Sequence, residues 1–520
     1  MVFKPRSKRN RERIVINNTE HEKVPSSIKV SANLHTNIHQ LHKLFDKPGD
    51  LKTRTLTFGD TAIEGTVVFF EGIVDPIAIQ QSVLNNLETA KNYPDNHQEL
   101  FQFIYQKYIA INDVQTVQSF DDLTQKLLSG FTIIFIDGVK EALMIQTIGG
   151  EFRAIEEPIT ETLIRGPRSG FVENLETNLA LIRRRAKDPN LRFQTYTVGA
   201  RSNTQIVVAY IKDIMHPEVL QEVNRRLETI DIDAVPESGY VEEWIEDSFL
   251  SPFPQILNTE RPDKAISALM QGKFVIIVEG TPFVLIAPIN FSTVLQSPED
   301  YYERWTIGSL LRLLRYAAAF IALFLPAIYV ALISIQPALL PTDLVFSIAG
   351  SREGVPFPPI IEALLMVITM ELLQEAGARL PQTIGQTVGI VGGLVIGEAA
   401  VQAGIVSPIM VIVIAITAIS TFAIPSYSVA IAFRIVRFAF IFAAGIFGLY
   451  GIILIYIMIN IHFVNLKSFG IPYSSSFAPF FYSSDWNDVV LRAPLQTGKK
   501  RPEFTSTIDD ISLNDKGETE

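Results

Sequence analysis

The sequence predicts an α+β soluble N-terminal region of two related subdomains, followed by an all-α transmembrane bundle of about five spans. Apolar residues make up 48% of the 520 positions, yet nearly all the excess lies after residue 310. There, long apolar segments recur with few charges, each near the roughly 20 residues that a spanning helix needs. Before them, β-branched runs alternate with helical periods and glycine turns, the pattern of compact mixed domains. The expected organisation is a polar, disordered N-terminus over 1–50, a first cytoplasmic subdomain over 51–150 and a second over 151–300. A transmembrane helical domain over 301–465 and a C-terminal tail over 466–520 complete it.

Composition excludes several function classes. The net charge is −11, whereas nucleic-acid binding needs a basic surface, so no nucleic-acid partner is expected. The opening residues Lys4, Arg6, Lys8, Arg9, Arg11 and Arg13 are basic, suited to anionic headgroups or to a solvated tail. The chain has no cysteine, which removes disulfides, zinc thiolates and thiol nucleophiles together. No apolar run follows the basic start in signal-peptide fashion, so the soluble subdomains are expected to stay where they are made. His35, His39 and His42 fall at helical spacing, but without carboxylate support they read as a polar face, and no metal is expected. There is no phosphate loop, no nucleophile elbow and no His–carboxylate pair in motif context. Neither catalytic residues nor a cofactor are therefore assigned, and the chain reads as a non-enzyme.

The soluble elements follow a repeated plan. Leu127-Leu128-Ser129-Gly130 leads into an apolar run from Phe131 to Ile136, then Asp137-Gly138 and a second run through Ile145. Leu269-Met270-Gln271-Gly272 leads into Lys273 to Val278, then Glu279-Gly280 and Phe283 to Pro288. Each predicts a helix closed by glycine, a strand, a tight type I′ hairpin turn and a returning strand. Duplication and convergence on a common hairpin both produce this pattern. Pro262 suits the first helical position after Arg261, with Asp263 in the first turn.

The apolar half begins with Tyr316 to Ile335, preceded by Arg304, Arg312 and Arg315, which places its N-terminal end in the cytoplasm. A proline-rich loop leads to an amphipathic helix from Ile360 to Leu380. Two more spans, Ile384 to Ala403 and Ile405 to Ile424, precede Arg434 and Arg437, and a last span runs from Phe438 to about Phe463. Placing Arg434 and Arg437 on the side of Arg312 requires the Ile360 helix to span, which gives five spans and a tail outside. Lys467, Arg492, Lys499, Lys500 and Arg501 in that tail oppose this assignment.

Charges inside spans point to function, because burying them in lipid is costly. Glu371, Glu375 and Arg379 share a face at four-residue spacing, to line an aqueous cavity or to hold the bundle together. In the third span Gly385, Gly389, Gly393 and Gly397 form one face, where small residues let helices pack closely. The opposite face carries Thr387, Val391, Leu394 and Glu398, a polar–apolar–polar order that suits a pore with an apolar constriction. A packing helix with a headgroup-level glutamate is the competing reading.

Several motifs together resemble the A subunits of GerA-type spore germinant receptors. They are Arg165-Gly166-Pro167-Arg168, Asn178 to Arg183, Ser251 to Lys264, Asp300 to Trp305, Pro356-Phe357-Pro358-Pro359, Glu362 to Met366, Gly377 to Pro381 and Gly385-Gln386-Thr387. The resemblance covers about residues 100–480. It implies a multi-pass protein of the spore inner membrane, with its N-terminal domains in the spore core, acting with a transporter-like B subunit and a lipoprotein C subunit. It further implies a homo-oligomer, a pentamer in this family, forming a ligand-gated cation channel whose opening starts germination. A non-conducting scaffold relaying the signal from the B subunit is the alternative, and the related stage V AF protein shares the architecture.

Overall fold

The computed structural model describes residues 28–511, apart from 47, 60, 90–92, 109–113, 150–156, 159, 380–392, 394, 476, 478–487, 495–499, 506 and 510. Two compact units emerge, one of Met1–Arg153 with Leu179–Leu191, the other of Ala154–Asn178 with Arg192–Glu520.

The first unit starts earlier than the boundary expected at residue 50. Helix α1 (Leu34–Phe45) is capped by Asn33, whose side chain accepts the Thr36 N–H, and is closed by Asp46 in the left-handed region. Leu34, Leu41 and Phe45 lie on one stripe and are buried in the core, so this helix belongs to the first subdomain. His35, His39 and His42 sit on the same helix, and no cluster able to hold a metal occurs among the described residues. Strands β1 (Leu51–Thr57), β2 (Glu64–Phe70) and β3 (Val114–Val117), helix α2 (Phe120–Leu127), and strands β4 (Phe131–Ile136) and β5 (Ala142–Gln146) follow. The sheet runs β1-β2-β4-β5-β3, and every residue of β4 is buried.

The second unit repeats this plan. Helix α3 (Leu175–Arg185) falls across the division of the chain, and the second unit holds β6 (Leu191–Val198), β7 (Thr204–Ile211), α4 (Pro217–Glu228), α5 (Ser238–Ile245), β8 (Leu257–Thr259), α6 (Pro262–Met270), β9 (Phe274–Val278) and β10 (Val284–Ala287). Its sheet order, β6-β7-β9-β10-β8, is the first order translated. Small polar contacts recur at a nearly constant offset. Asn37 bridges the backbone of Ser31, and Asn178 bridges that of Val172. The Gly138 N–H bonds to the Ala32 carbonyl at 2.7 Å, and the Gly280 N–H to the Glu173 carbonyl at 2.9 Å. Asp75 and His216 each cap a helix that begins with proline. Convergence on a hairpin explains none of these contacts, whereas a repeated domain explains them all.

The hairpin turns differ from the expected type I′ form, which needs positive φ at two central residues. Residues 137–141 and 279–283 form the connections, and there only Gly138 and Gly280 have positive φ. Arg261 is the N-cap of α6 and Pro262 takes the first helical position, where its missing N–H leaves no bond unmade.

The C-terminal half is helical: α7 (Trp305–Ser334), α8 (Pro359–Arg379), a helical stretch over 395–402, α9 (Pro408–Phe422), α10 (Tyr427–Phe447) and α11 (Leu449–Asn465). Among the described residues, α7 and α10 are long and apolar enough to cross a membrane; α9 and α11 are shorter apolar helices. Two expectations change here. The single segment read from Phe438 to Phe463 is two helices broken at Gly448, whose φ of +61° disfavours any side chain. A Cβ there would also meet Gln336 Oε1 at 2.5 Å. Arg434 and Arg437, read as a loop between spans, instead lie inside α10.

The tail also departs from expectation, since it lies against the second α+β subdomain. Ser468 Oγ donates to the Gln255 carbonyl at 2.7 Å, Arg501 to the Met270 carbonyl at 2.9 Å, and the Ile508 N–H to the Ile214 carbonyl at 3.0 Å.

Candidate functional site in the helical region

Glu371 is the acidic centre of the helical region. Its carboxylate lies 3.3 Å from Arg437 and 3.5 Å from Arg434, both on α10. Arg437 is fully buried, and its remaining donors go to the Ala322 carbonyl on α7 at 2.7 Å and to Thr421 Oγ1 on α9 at 2.8 Å. One guanidinium thus ties four helices, because a buried charge is tolerated only when paired and fully hydrogen-bonded. Glu375, one turn on from Glu371, is exposed. The expected pairing of Glu371, Glu375 and Arg379 along their own helix therefore gives way, at Glu371, to pairing across helices.

Glu362, near the start of α8, is a second buried acid. It accepts from both the N–H and the hydroxyl of Ser407 at 2.6 Å, and Arg352 lies 3.3 Å away. Ser407 in turn caps α9, so this carboxylate fixes where α8 and α9 begin to pack. The signal for both clusters was in the sequence, as acids and arginines set within long apolar stretches. The partners were not, because they lie on different helices.

Between α8, the glycine-bearing helix and α9 is a cavity of ≈840 Å³, bordered by Met370, Gln374, Gly393, Gly397, Ala418 and Arg434. The Gln374 amide has no hydrogen-bond partner there among the described residues. Gly397 is buried and faces Val411, whose Cγ1 would lie 3.3 Å from an added Cβ; at Gly393 a Cβ meets nothing within 4 Å among the described residues. Glu398 is exposed on this single chain and accepts from Gln402 Nε2 at 3.0 Å. Gly385, Thr387, Gly389, Val391 and Leu394 lie outside the described residues.

The family model for the Bacillus/Clostridium GerA spore germination protein matches residues 39–504. The chain belongs to the GerA family. Spore germination protein GerLA of Bacillus cereus is 47% identical to it, covering 93% of this chain and 97% of that protein. The membrane protein YfkQ of Bacillus subtilis is 45% identical over 91% of each. The N-terminal domain of the A subunit of the Bacillus megaterium spore germinant receptor GerK3 is 31% identical, covering 51% of this chain and 97% of that one, with a TM-score of 0.40.

Three of the motifs by which this GerA protein resembled its family meet in space: Arg165 to Arg168, Ser251 to Lys264 and Asp300 to Trp305. Arg261, almost fully buried, donates to the carbonyls of Glu161 and Pro167 at 3.1 and 2.8 Å, while Tyr302 donates to Asp263. Asp300, also fully buried, accepts from Arg312 at 3.1 Å and from Arg315 at 2.9 and 3.0 Å. Arg312 continues to Asp488 at 2.8 Å, and Arg492 donates to the Asp300 carbonyl. Arg312 and Arg315, read from sequence as flanking charges that set the orientation of the first span, form the joint of the second subdomain, α7 and the tail.

Proposed function

We propose that this chain is the A subunit of a nutrient germinant receptor in the spore inner membrane, forming a homo-oligomeric cation channel whose opening triggers germination. The observation that carries the conduction reading is the division of faces on the helix bearing Gly397. The glycine side turns toward α9 and the cavity, while Glu398 is exposed on the isolated chain. A carboxylate left outward on an apolar helix needs water or a cation, and a symmetry axis supplies both. Thr387, Val391 and Leu394 would continue that face toward an apolar gate, with pentameric assembly inferred from the family.

The tail contacts support a particular topology. A tail bonded to the second subdomain shares its side of the membrane, which requires an even number of crossings. Helices α7 to α11, with the span read between Ile384 and Ala403, make six, and both termini face the spore core. A transporter-like B subunit and a lipoprotein C subunit are the partners this reading requires.

Reconstitution tests it. The purified chain in potassium-loaded liposomes should pass cations. Leu394→Ala should leak without nutrient and Glu398→Gln should lower cation flux. No flux from an assembled wild-type oligomer would instead favour a scaffold that relays the signal without conducting.

A further inference from the structure

The second subdomain holds a second cavity, of ≈130 Å³, beside α6, β9 and residues 293–302. That is well above the roughly 10–15 Å³ one water needs and below the roughly 300 Å³ at which sites for drug-sized ligands begin. Lys273 lines it and is 2% exposed. The other charges on its wall have counter-ions: Lys264 is 2.6 Å from Glu161, and Asp263 is held by Arg261 and Tyr302. Lys273 has neither a carboxylate nor a hydrogen-bond acceptor among the described residues, and its ammonium lies 5.4 Å from the centroid of the Phe504 ring in the tail. Burial, with Lys264 nearby, lowers it to about 7, while Asp488 acts in the opposite direction.

The internal repeat shows that the fold does not require a charge at this point. Gly130-Phe131 in the first subdomain corresponds to Gly272-Lys273 in the second, each glycine with positive φ. Phe131 fills its position as an ordinary buried aromatic, 6% exposed. A lysine placed where the same backbone accepts phenylalanine costs desolvation energy and returns, among the described residues, the Phe504 ring and no charged or hydrogen-bonding partner. An anion in the cavity would supply the missing partner.

We propose that this cavity binds a small oxyanion, a carboxylate or a tetrahedral phosphate-like group, on the ammonium of Lys273. Gln271, on the same wall, offers an amide donor, and Phe504 of the tail covers the lysine. The site lies in the α+β subdomain and stands independently of the conduction reading.

The test uses the full-length protein in detergent, followed by thermal unfolding. Acetate and sulfate are titrated against chloride at constant ionic strength and pH 6.5. One of them should raise the melting midpoint saturably, acetate marking a carboxylate site and sulfate a tetrahedral one, and K273M should lose the shift. No saturable shift with either anion, or an equal shift in K273M, overturns the proposal. The wild type decides independently of that variant, because both probes keep their charge between pH 6 and pH 8.5. The titratable groups around the lysine are Lys264, Asp263, Asp488, Tyr301 and Tyr302. The apparent affinity should fall about tenfold or more as the ammonium deprotonates, and an affinity unchanged with pH counts against the site.

Discussion

Arg315 holds both carboxylate oxygens of Asp300, at 2.9 and 3.0 Å, with the acid fully buried. The pair joins the last short helix before the helical region to the first long helix within it. Replacing Arg315 with alanine leaves Asp300 with Arg312 alone. Breaking a buried pair in this way typically costs about 3–5 kcal/mol. Thermal unfolding of the detergent-solubilised variant should show the loss, and a melting midpoint within a degree of wild type would refute the joint.

Arg437 offers a cleaner cycle. R437M alone should destabilise by about 3 kcal/mol or more, since it strands Glu371 with the half-buried Arg434. Adding E371M removes the stranded acid and should recover part of that loss. A double variant no more stable than R437M would mean that the two side chains are not coupled.

Gly393 and Gly397 separate assembly from folding. Leucine at Gly397 must displace Val411, 3.3 Å from the added Cβ, and should destabilise the single chain by about 1–3 kcal/mol. Leucine at Gly393 starts from a Cβ that meets nothing within 4 Å among the described residues. It should fold normally and fail to assemble; an unchanged oligomer on native gels would show that this glycine packs against no second copy.

Glu242 on α5 predicts a pH signature. Burial, with Glu246 and Glu237 nearby, raises its carboxyl to about 8. The folded state then holds a proton that the unfolded chain has released, so this residue's contribution to stability falls as pH rises from about 4.5 to about 8. Each tenfold difference in proton affinity between the folded and unfolded chain is worth about 1.4 kcal/mol, so E242Q should gain at least about 1 kcal/mol over wild type between pH 5 and pH 8. A stability difference that does not change over that interval would contradict the assignment.

Local chemistry made much of the fold readable. The repeated glycine–strand–glycine pattern announced both hairpins, and Pro262 after Arg261 marked the start of α6. Hydropathy located the helical half but missed the break at Gly448, because one glycine barely lowers the mean of an apolar stretch. Polar partners were the main blind spot. Glu371 was read against Glu375 and Arg379 because helical spacing is visible in one dimension, whereas its contact with Arg437 exists only after α8 and α10 pack. Arg312 and Arg315 looked like ordinary flanking charges, since nothing in their own segment reveals that Asp300 and Asp488 fold over them.

The helical region is held by its second α+β subdomain at both ends. At its entry, Asp300 clasps α7 through Arg312 and Arg315; at its exit, His462 Nε2 meets Ser251 Oγ at 2.8 Å and Ser468 is bonded to Gln255. A small rotation of that subdomain would therefore pull on the first and last helices together, as a two-handed grip turns a bar. A lever of this kind converts a modest motion of the subdomain into a change of tilt among the helices it grips.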